Sequence, residues 1–340
     1  MSNPTSPFIC VTTDYVEPDM EWEKRLYAEK GVDYRLHQLR KASADKLLEA
    51  ASDAHVLVVD QARIDARVMK GLTNCRLIIR HGDGYDNLDL KAATEEGIVC
   101  ANDPGFWSME AAEQAFTLAL ALALKIPVQE SVARSPTGEG AGWDLKRIMP
   151  YSSLASRTVG ILGFGKIGRQ VCKLFAPITK RVLVCDTSAT SEFIRGFGGE
   201  AASFEDMLTQ SDILSLHTPA NDRTIGLFDA SVLGRMKKGA ILVNTARGTI
   251  VDTDALAAAL SSGALGGAGL DSTDPEPLPG DHPLFSMQNV IITPHMGWYS
   301  EDALKRMRES IVDDVLNCRE GKRPESIVNP DVLSSPKLRF

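Results

Sequence analysis

Short apolar runs alternate with longer segments of helical periodicity along the whole chain. The runs are bounded by polar or turn residues, which is typical of strands buried in a parallel sheet. Helix-length segments between them favour βαβ units. Strands are predicted at residues 8–11, 56–59, 77–79, 159–162, 182–185, 213–216, 240–243, 267–270 and 290–292. This rhythm predicts an α/β fold of doubly wound parallel sheets.

Three long segments have a clear helical pattern. They are residues 19–30, ended by Gly31, residues 110–125, ended by Pro127, and residues 300–320, ended by Gly321. Gly and Pro are the residues that most often stop a helix. Residues 135–156 contain several glycines and no clear period, so we expect irregular structure there. The tail from Pro324 has few periodic apolar positions and is expected to wrap a surface.

A glycine-rich loop follows the strand predicted at 159–162 and opens a helix. It reads Gly163-Phe164-Gly165-Lys166-Ile167-Gly168, the GxGxxG spacing of dinucleotide-binding loops. The glycines allow a tight turn and close approach to a pyrophosphate, whose charge the helix N-terminus favours. Asp186 closes the next strand, at the offset expected for the acid that binds the ribose hydroxyls. Its charge repels a 2′-phosphate and no Arg follows immediately, so NAD is predicted over NADP.

Three reactive side chains follow later strands of the same series. Arg247, Glu276 and His295 each come after an apolar run, and ligands in open α/β sheets bind at the carboxyl ends of strands. Arg presents a fork for carboxylate and carbonyl oxygens, and His exchanges a proton near neutral pH. A carboxylate beside the imidazole fixes its orientation. Singly, each also fits a surface ion pair, a turn residue or a structural histidine; together they indicate reduction of a 2-keto acid.

These motifs resemble those of the D-2-hydroxyacid dehydrogenase family. The matching stretches are residues 82–89, 163–168, 244–251, 269–278 and 294–295. The resemblance implies that Arg247 orients the substrate, that His295 is the acid/base, and that Glu276 pairs with it. Asp271 would hold the carboxamide side of the nicotinamide. The candidate cofactor residues are Gly163, Gly165, Lys166, Ile167, Gly168, Asp186, His217, Thr218, Pro219, Thr245, Ala246, Asp271, His295 and Gly297.

The resemblance also implies how the chain is divided. Residues 1–104 and 299–340 would form a substrate domain, split by an NAD-binding domain at 105–298. It further implies a homodimer, with the helix at 110–125 in the contact. Formate-oxidising relatives carry Gln in place of Glu276, so the carboxylate here favours hydroxyacid chemistry.

The segment after the candidate acid/base is similar to one branch of the family. His295 is followed by Met-Gly-Trp-Tyr-Ser, and the C-terminal-binding proteins share the Trp-Tyr-Ser. By that similarity Trp298 borders the substrate side chain and Arg80 reaches toward the substrate. A core aromatic and a strand-end surface charge are the alternatives. The branch also suggests a second function, an NAD-sensing corepressor with weak dehydrogenase activity.

The substrate loop departs from the family at Asp83. Amides of this loop, including that of Gly84, commonly hold the substrate carboxylate, and the residue before it is usually small or apolar. An acid there repels a monoanionic keto acid unless Arg80 or His81 pairs with it. Phe106 and Trp107 are also bulky for their segment. We therefore expect a substrate other than lactate.

Composition narrows the remaining possibilities. The formal net charge is −8, which argues against nucleic-acid or membrane-surface partners. The six cysteines show no CxxC spacing, so neither a disulfide framework nor a metal site is predicted. The N-terminus lacks a signal-peptide pattern, and the longest apolar stretch, residues 115–124, is too short to span a bilayer. A cytoplasmic location is expected.

Overall fold

The computed structural model describes residues 7–17, 19–135 and 142–340. Contacts along the chain divide it into two compact units. The first unit runs to Phe106 and resumes at Glu301, and the second unit comprises Trp107–Ser300. Each unit is built on one parallel sheet, so the predicted fold class, with one unit split by the other, is confirmed.

The N-terminal part of the first unit alternates strands and helices. The elements are β1 (Phe8–Thr12), α1 (Glu21–Glu29), β2 (Val32–Leu36), α2 (Ala44–Ala51), β3 (Val56–Val59), α3 (Ala66–Gly71), β4 (Leu77–Arg80), α4 (Leu90–Glu95) and β5 (Val99–Asn102). The parallel sheet has the order β2-β1-β3-β4-β5. The chain therefore changes direction beside β1, as in doubly wound folds.

Two strands of this sheet were not predicted from the sequence. β2 is an edge strand in which Arg35 pairs with Asp33 at 2.8 Å and with Asp53 at 2.9 Å. Such a strand does not read as an apolar run, because four of its five side chains are only half-buried. β5 is fully buried, but it reads Val-Cys-Ala-Asn, and with a single β-branched residue this composition does not favour a strand.

The second unit carries the longer series of elements. They are α5 (Ser108–Ala123), α6 (Ile126–Arg134), β6 (Thr158–Leu162), α7 (Lys166–Phe175), β7 (Arg181–Cys185), α8 (Ser191–Arg195), β8 (Glu200–Ala201), α9 (Phe204–Gln210), β9 (Ile213–Leu216), α10 (Ala230–Arg235), β10 (Ala240–Asn244), α11 (Thr253–Ser261), β11 (Leu265–Leu270) and β12 (Val290–Ile292). The sheet order is β12-β11-β10-β9-β6-β7-β8, all parallel. The strand order reverses between β6 and β9, which is where ligands bind in this architecture.

The helix predicted to end at Pro127 is two helices. α5 ends at Ala123, Lys125 adopts a left-handed φ of 55°, and Pro127 lies in the first turn of α6. Proline is favoured there because the first-turn amides of a helix have no intrahelical acceptor. Among the described residues, no single helix is long and apolar enough to cross a membrane. The pair α5 and α6 together has the length and composition of a membrane span, but the two helices are bent by 55° relative to each other.

The C-terminal segment completes the first unit. Helix α12 (Glu301–Arg319) is tied to α1 by Arg308, whose guanidinium donates to the buried Glu23 at 2.6 Å. The following tail packs along β5, where Asn329 accepts from the Cys100 amide at 2.8 Å. All six cysteines lie in the described part of the chain and are free thiols; Cys185 is half-buried and the others are buried.

Candidate active site

The glycine loop lies at the point where the strand order of the second sheet reverses. Gly163 follows β6 with a φ of 92°, and a Cβ placed there would lie 2.5 Å from the carbonyl oxygen of His217, which follows β9. A Cβ on Gly168 would lie 2.2 Å from the Gly163 oxygen, whereas nothing lies within 4 Å of one on Gly165. The first and third glycines are thus required by close packing, and the second leaves open space over the loop.

Asp186 at the end of β7 is tied to this loop. Its carboxylate accepts the Phe164 amide at 2.7 Å and the Ser188 and Ala189 amides, each at 2.8 Å. Partial burial raises the pKa of Asp186, but the hydrogen bonds from Ser188, Phe164 and Ala189 outweigh it and hold the pKa below its ordinary value. A charged carboxylate therefore stands at the end of the strand next to the glycine loop.

The residues present fit a dinucleotide. The open space over Gly165 leaves room for a phosphate group, and the helix that begins at Lys166 favours its charge. Among the described residues, the buried Oγ1 of Thr245 has no hydrogen-bond partner. A buried polar atom without a partner is costly, and a bound ligand would satisfy it. Burial lowers the pKa of His217 to about 3, so this imidazole is neutral; its Nε2 lies 2.8 Å from Ser215 Oγ.

His295 and Glu276 form a direct pair. The Nδ1 of His295 lies 2.7 Å from Glu276 Oε1, and the two side chains are 40% and 45% exposed. The hydrogen bond from His295 is the main reason that the pKa of Glu276 is lowered, and the Arg247 guanidinium adds to it. Because Nδ1 is used by the carboxylate, Nε2 is the nitrogen left for proton exchange.

Arg247 sits on a loop shaped by the end of β10. The Asn244 side chain donates to the Arg247 carbonyl at 2.9 Å and accepts from the Ala246 amide at 3.1 Å. A Cβ on the next residue, Gly248, would lie 2.0 Å from the carbonyl group of Thr273. Glycine thus lets the Arg247 loop and the segment that carries Glu276 approach closely.

The turn that carries His295 is held by a buried carboxylate. His295 has a φ of 55°, a left-handed conformation that costs on the order of 1–3 kcal/mol for a residue other than glycine. The Asp271 carboxylate accepts the Met296 amide at 2.9 Å, the Gly297 amide at 2.8 Å and the Thr293 hydroxyl at 2.6 Å. Consecutive amides around a left-handed residue form a cradle for an anion. Asp271 therefore shapes the His295 turn, a use that the sequence did not suggest.

Two residues without a predicted role contact this turn. Thr293 directly precedes the Pro294-His295 motif, and Gln114 lies on α5, where its side-chain amide donates to the Thr293 hydroxyl at 2.9 Å. A threonine after a strand is only a weak sequence signal of a role in the site, and a glutamine within a helix gives no such signal. Their contacts exist only in the folded chain.

The predicted specificity residues fall in both units. In the first unit, Arg80 lies 3.8 Å from Asp60, and His81 lies 3.2 Å from Glu17. His81 thus already faces a carboxylate other than the predicted partner Asp83. Gly84 and Phe106 also belong to the first unit, whereas Trp107 and Trp298 belong to the second. Trp298 is half-buried and packs edge-on against Tyr299, with ring centroids 5.3 Å apart.

Comparison with known proteins decides the family. Residues 117–297, more than half of the chain, match the NAD binding domain of D-isomer specific 2-hydroxyacid dehydrogenases. The chain belongs to the D-isomer specific 2-hydroxyacid dehydrogenase family. It is 34% identical to the glyoxylate reductase of Korarchaeum cryptofilum over 84% of this chain and 86% of that protein. As a member of the family it is an NAD(P)-dependent D-2-hydroxyacid dehydrogenase, which confirms the predicted enzyme class.

Solved structures agree with the fold of this dehydrogenase. The crystal structure of the TT0316 protein from Thermus thermophilus matches with a TM-score of 0.84 and 34% identity, over 94% of this chain and all of that one. The D-lactate dehydrogenase of Aquifex aeolicus, solved with NAD and lactic acid, matches with a TM-score of 0.80 over 94% of this chain and 99% of that one. At 24% identity the second match shows the fold alone.

The comparisons correct one expectation about the branch. Several archaeal relatives that match most of the chain are named glyoxylate reductases, among them those of Thermococcus litoralis and Pyrococcus furiosus. The similarity therefore leads to that group rather than to the C-terminal-binding proteins. The Trp-Tyr-Ser after His295 misled because three residues carry little weight against agreement along a whole chain.

Proposed function

We propose that this dehydrogenase reduces a small 2-keto acid of the glyoxylate type to its (D)-2-hydroxy acid with NADH. The observation that carries the proposal is the 2.7 Å contact between His295 and Glu276, close enough to Arg247 for its charge to lower the pKa of Glu276. The second unit thus carries an acid/base (His295), its carboxylate partner (Glu276) and a cation suited to bind the substrate carboxylate (Arg247). The names of the archaeal relatives supply the substrate class.

Each residue has a distinct part in the reaction. When bound, the reduced nicotinamide supplies a hydride to carbon 2 of the keto acid. Arg247 binds the substrate carboxylate and the carbonyl oxygen through its planar fork. His295 donates the proton from Nε2 to the carbonyl oxygen as the C=O double bond becomes a C–O single bond. Glu276 stabilises the protonated imidazole through Nδ1 and keeps Nε2 aimed at the substrate; the oxidation runs the same steps in reverse.

The preference for NADH rests on Asp186. Its carboxylate is held charged at the end of β7 by three backbone amides, where a 2′-phosphate would be repelled. The following residues, Thr187 to Thr190, contain no basic side chain to compensate. NADPH is therefore expected to bind more weakly than NADH.

A kinetic panel with His295→Ala tests the proposal. Glyoxylate, hydroxypyruvate and pyruvate are each offered with NADH and with NADPH, and kcat and KM are measured. We expect the best turnover with glyoxylate or hydroxypyruvate and NADH, weaker use of pyruvate, and a loss of at least about 100-fold in kcat in His295→Ala.

The matched control for that panel is His282→Ala. His282 belongs to the same unit, lies 3.5 Å from Asp254 and has no proposed part in the reaction, so its replacement should leave kcat unchanged. Wild-type rates in a folded His295→Ala enzyme, or no turnover of any keto acid by the wild type, would reject the proposal.

The proposal includes a homodimer. α5, the helix expected in the contact, packs its apolar side chains into the core of the second unit. Besides Met109 on α5, exposed apolar side chains lie on α6 and on residues 142–151, and Lys125, just before α6, donates a hydrogen bond to the Ile148 carbonyl at 2.9 Å. This α6 patch consists of Ile126, Trp143, Leu145, Met149 and Tyr151, each at least 45% exposed. A second copy of the chain is the occupant that we propose for it, because large apolar side chains exposed in neighbouring segments are typical of protein–protein contact surfaces.

A further inference from the structure

A chain of hydrogen bonds connects α5 to the turn that carries His295. The Gln114 amide donates to Thr293 Oγ1 at 2.9 Å, and Thr293 Oγ1 donates to Asp271 Oδ1 at 2.6 Å. Asp271 in turn accepts the two amides that follow His295, those of Met296 and Gly297. The chain thus begins on a helix of the core and ends at the backbone next to the imidazole.

The direction of each bond in this chain is determined. A hydroxyl has one proton, and the buried Asp271 carboxylate only accepts, so Thr293 must give its proton to Asp271. The side chain on the other side of Thr293 must therefore be a donor, and the Gln114 amide is one. Gln114 also lies beside the turn, since a Cβ added to Gly297 would be 3.4 Å from the Cβ and Cγ of Gln114.

We propose that Gln114 is a positioning residue for His295, acting through Thr293 and Asp271. It orders the Thr293 hydroxyl toward Asp271, and the carboxylate then fixes the left-handed turn that keeps the imidazole against Glu276. The inference rests on the proposed role of His295 as the acid/base. Gln114 lies outside the glycine loop and the segments that carry Arg247, Glu276 and His295, and it has no direct part in proton or hydride transfer.

Two substitutions separate the polarity of this contact from its bulk. Gln114→Leu keeps most of the volume and removes the donor; we expect kcat to fall about fivefold, the effect of one lost hydrogen bond. Gln114→Glu keeps the shape of the side chain but offers an acceptor that competes for the Thr293 proton, and it adds a charge beside Asp271. We therefore expect kcat to fall further in Gln114→Glu than in Gln114→Leu. A role in packing alone predicts the opposite order.

The matched control is Gln129→Leu. Gln129 lies on α6, is also half-buried and donates its side-chain amide to the Leu124 carbonyl at 2.6 Å. The same substitution there removes the same kind of bond away from His295. We expect unchanged kcat, and the thermal midpoints of the three variants show how far each affects folding.

A double-mutant cycle with His295→Ala decides the inference. If Gln114 acts by positioning the imidazole, Gln114→Leu costs nothing further in the residual rate of His295→Ala. A fivefold loss that persists in that background, or wild-type kcat in Gln114→Leu, overturns the inference while His295→Ala keeps its own large loss of kcat. Wild-type activity in His295→Ala alone would instead reject the proposed function, so the two failures are distinguishable.

Discussion

At the scale of single residues, three carboxylates of the second unit share one structural task. Asp186, Asp271 and Glu276 each accept donors from a neighbouring loop: the glycine loop, the His295 turn and the imidazole itself. A carboxylate offers about four acceptor sites on two oxygens, so it holds several groups at once. Charge is therefore used here to set loop geometry.

Glu276→Gln tests the electrostatic part of the proposed mechanism. The pKa of Glu276 is lowered, so its carboxylate is charged at neutral pH. Its stabilisation of the protonated His295 imidazole is lost only as the pH falls through that lowered pKa. With Gln, the protonated imidazole loses its partner. We expect kcat for keto-acid reduction to fall about 100-fold and the alkaline limb of the pH–rate profile to move to lower pH.

The control for this pH–rate measurement is Glu205→Gln. Glu205 is exposed in the same unit and pairs with Arg235 at 2.7 Å, so its replacement should leave the profile in place. An alkaline limb that does not move in Glu276→Gln would contradict the assigned pairing.

At the scale of elements, the site depends on how closely the segments after strands approach one another. β10 and β11 are neighbours in the sheet, and the segments that follow them meet where Gly248 faces the Thr273 carbonyl. Strand order places these two segments side by side, and the absence of a side chain on Gly248 lets them come this close. The Arg247 and Glu276 groups are brought together by both.

Gly248→Ala tests that close approach. The added Cβ would lie 2.0 Å from backbone atoms of Thr273, so one of the two segments has to move. We expect a loss of about 1–3 kcal/mol in the free energy of unfolding and a fall of at least about tenfold in kcat/KM, measured by denaturant titration and steady-state kinetics.

Gly234→Ala is the comparison for that substitution. Gly234 lies inside α10, and nothing is within 4 Å of a Cβ there, so alanine should stabilise the helix by about 0.5–1 kcal/mol without changing turnover. Full activity in Gly248→Ala would show that the two segments need not approach so closely.

At the scale of the whole molecule, the α6 patch leads to a prediction about assembly. Light scattering at micromolar concentration should give twice the chain mass for the wild type. Trp143→Ser combined with Leu145→Ser removes two of the most exposed members of the patch, which are 65% and 51% exposed, and should shift the protein toward the monomer.

The control pair for the assembly measurement is Phe285→Ser with Ile225→Ser. These side chains are 54% and 58% exposed and lie outside the patch, so they should leave the mass unchanged. A monomeric wild type, or an unchanged mass after substitution of Trp143 and Leu145, would count against the homodimer.

The local sequence alone determined the class of fold, most strands of the second sheet, the glycine loop and the three side chains proposed for the chemistry. These features depend on near neighbours: a buried strand needs an apolar run, and a tight turn needs glycine. The short strand β5, the edge strand β2 and the break between α5 and α6 were not readable in the same way. Their conformations depend on neighbouring strands or on which residue begins a helix.

Only the tertiary structure decided what Asp271, Thr293 and Gln114 do. The partners of Gln114 and Asp271 are separated by many residues along the chain, and their hydrogen bonds form because the sheet brings β11, β12 and α5 together. Polar side chains show their chemistry in the sequence but not their partners. The conformation of the His295 turn is therefore a property of the folded second unit, although the histidine itself could be identified from its motif.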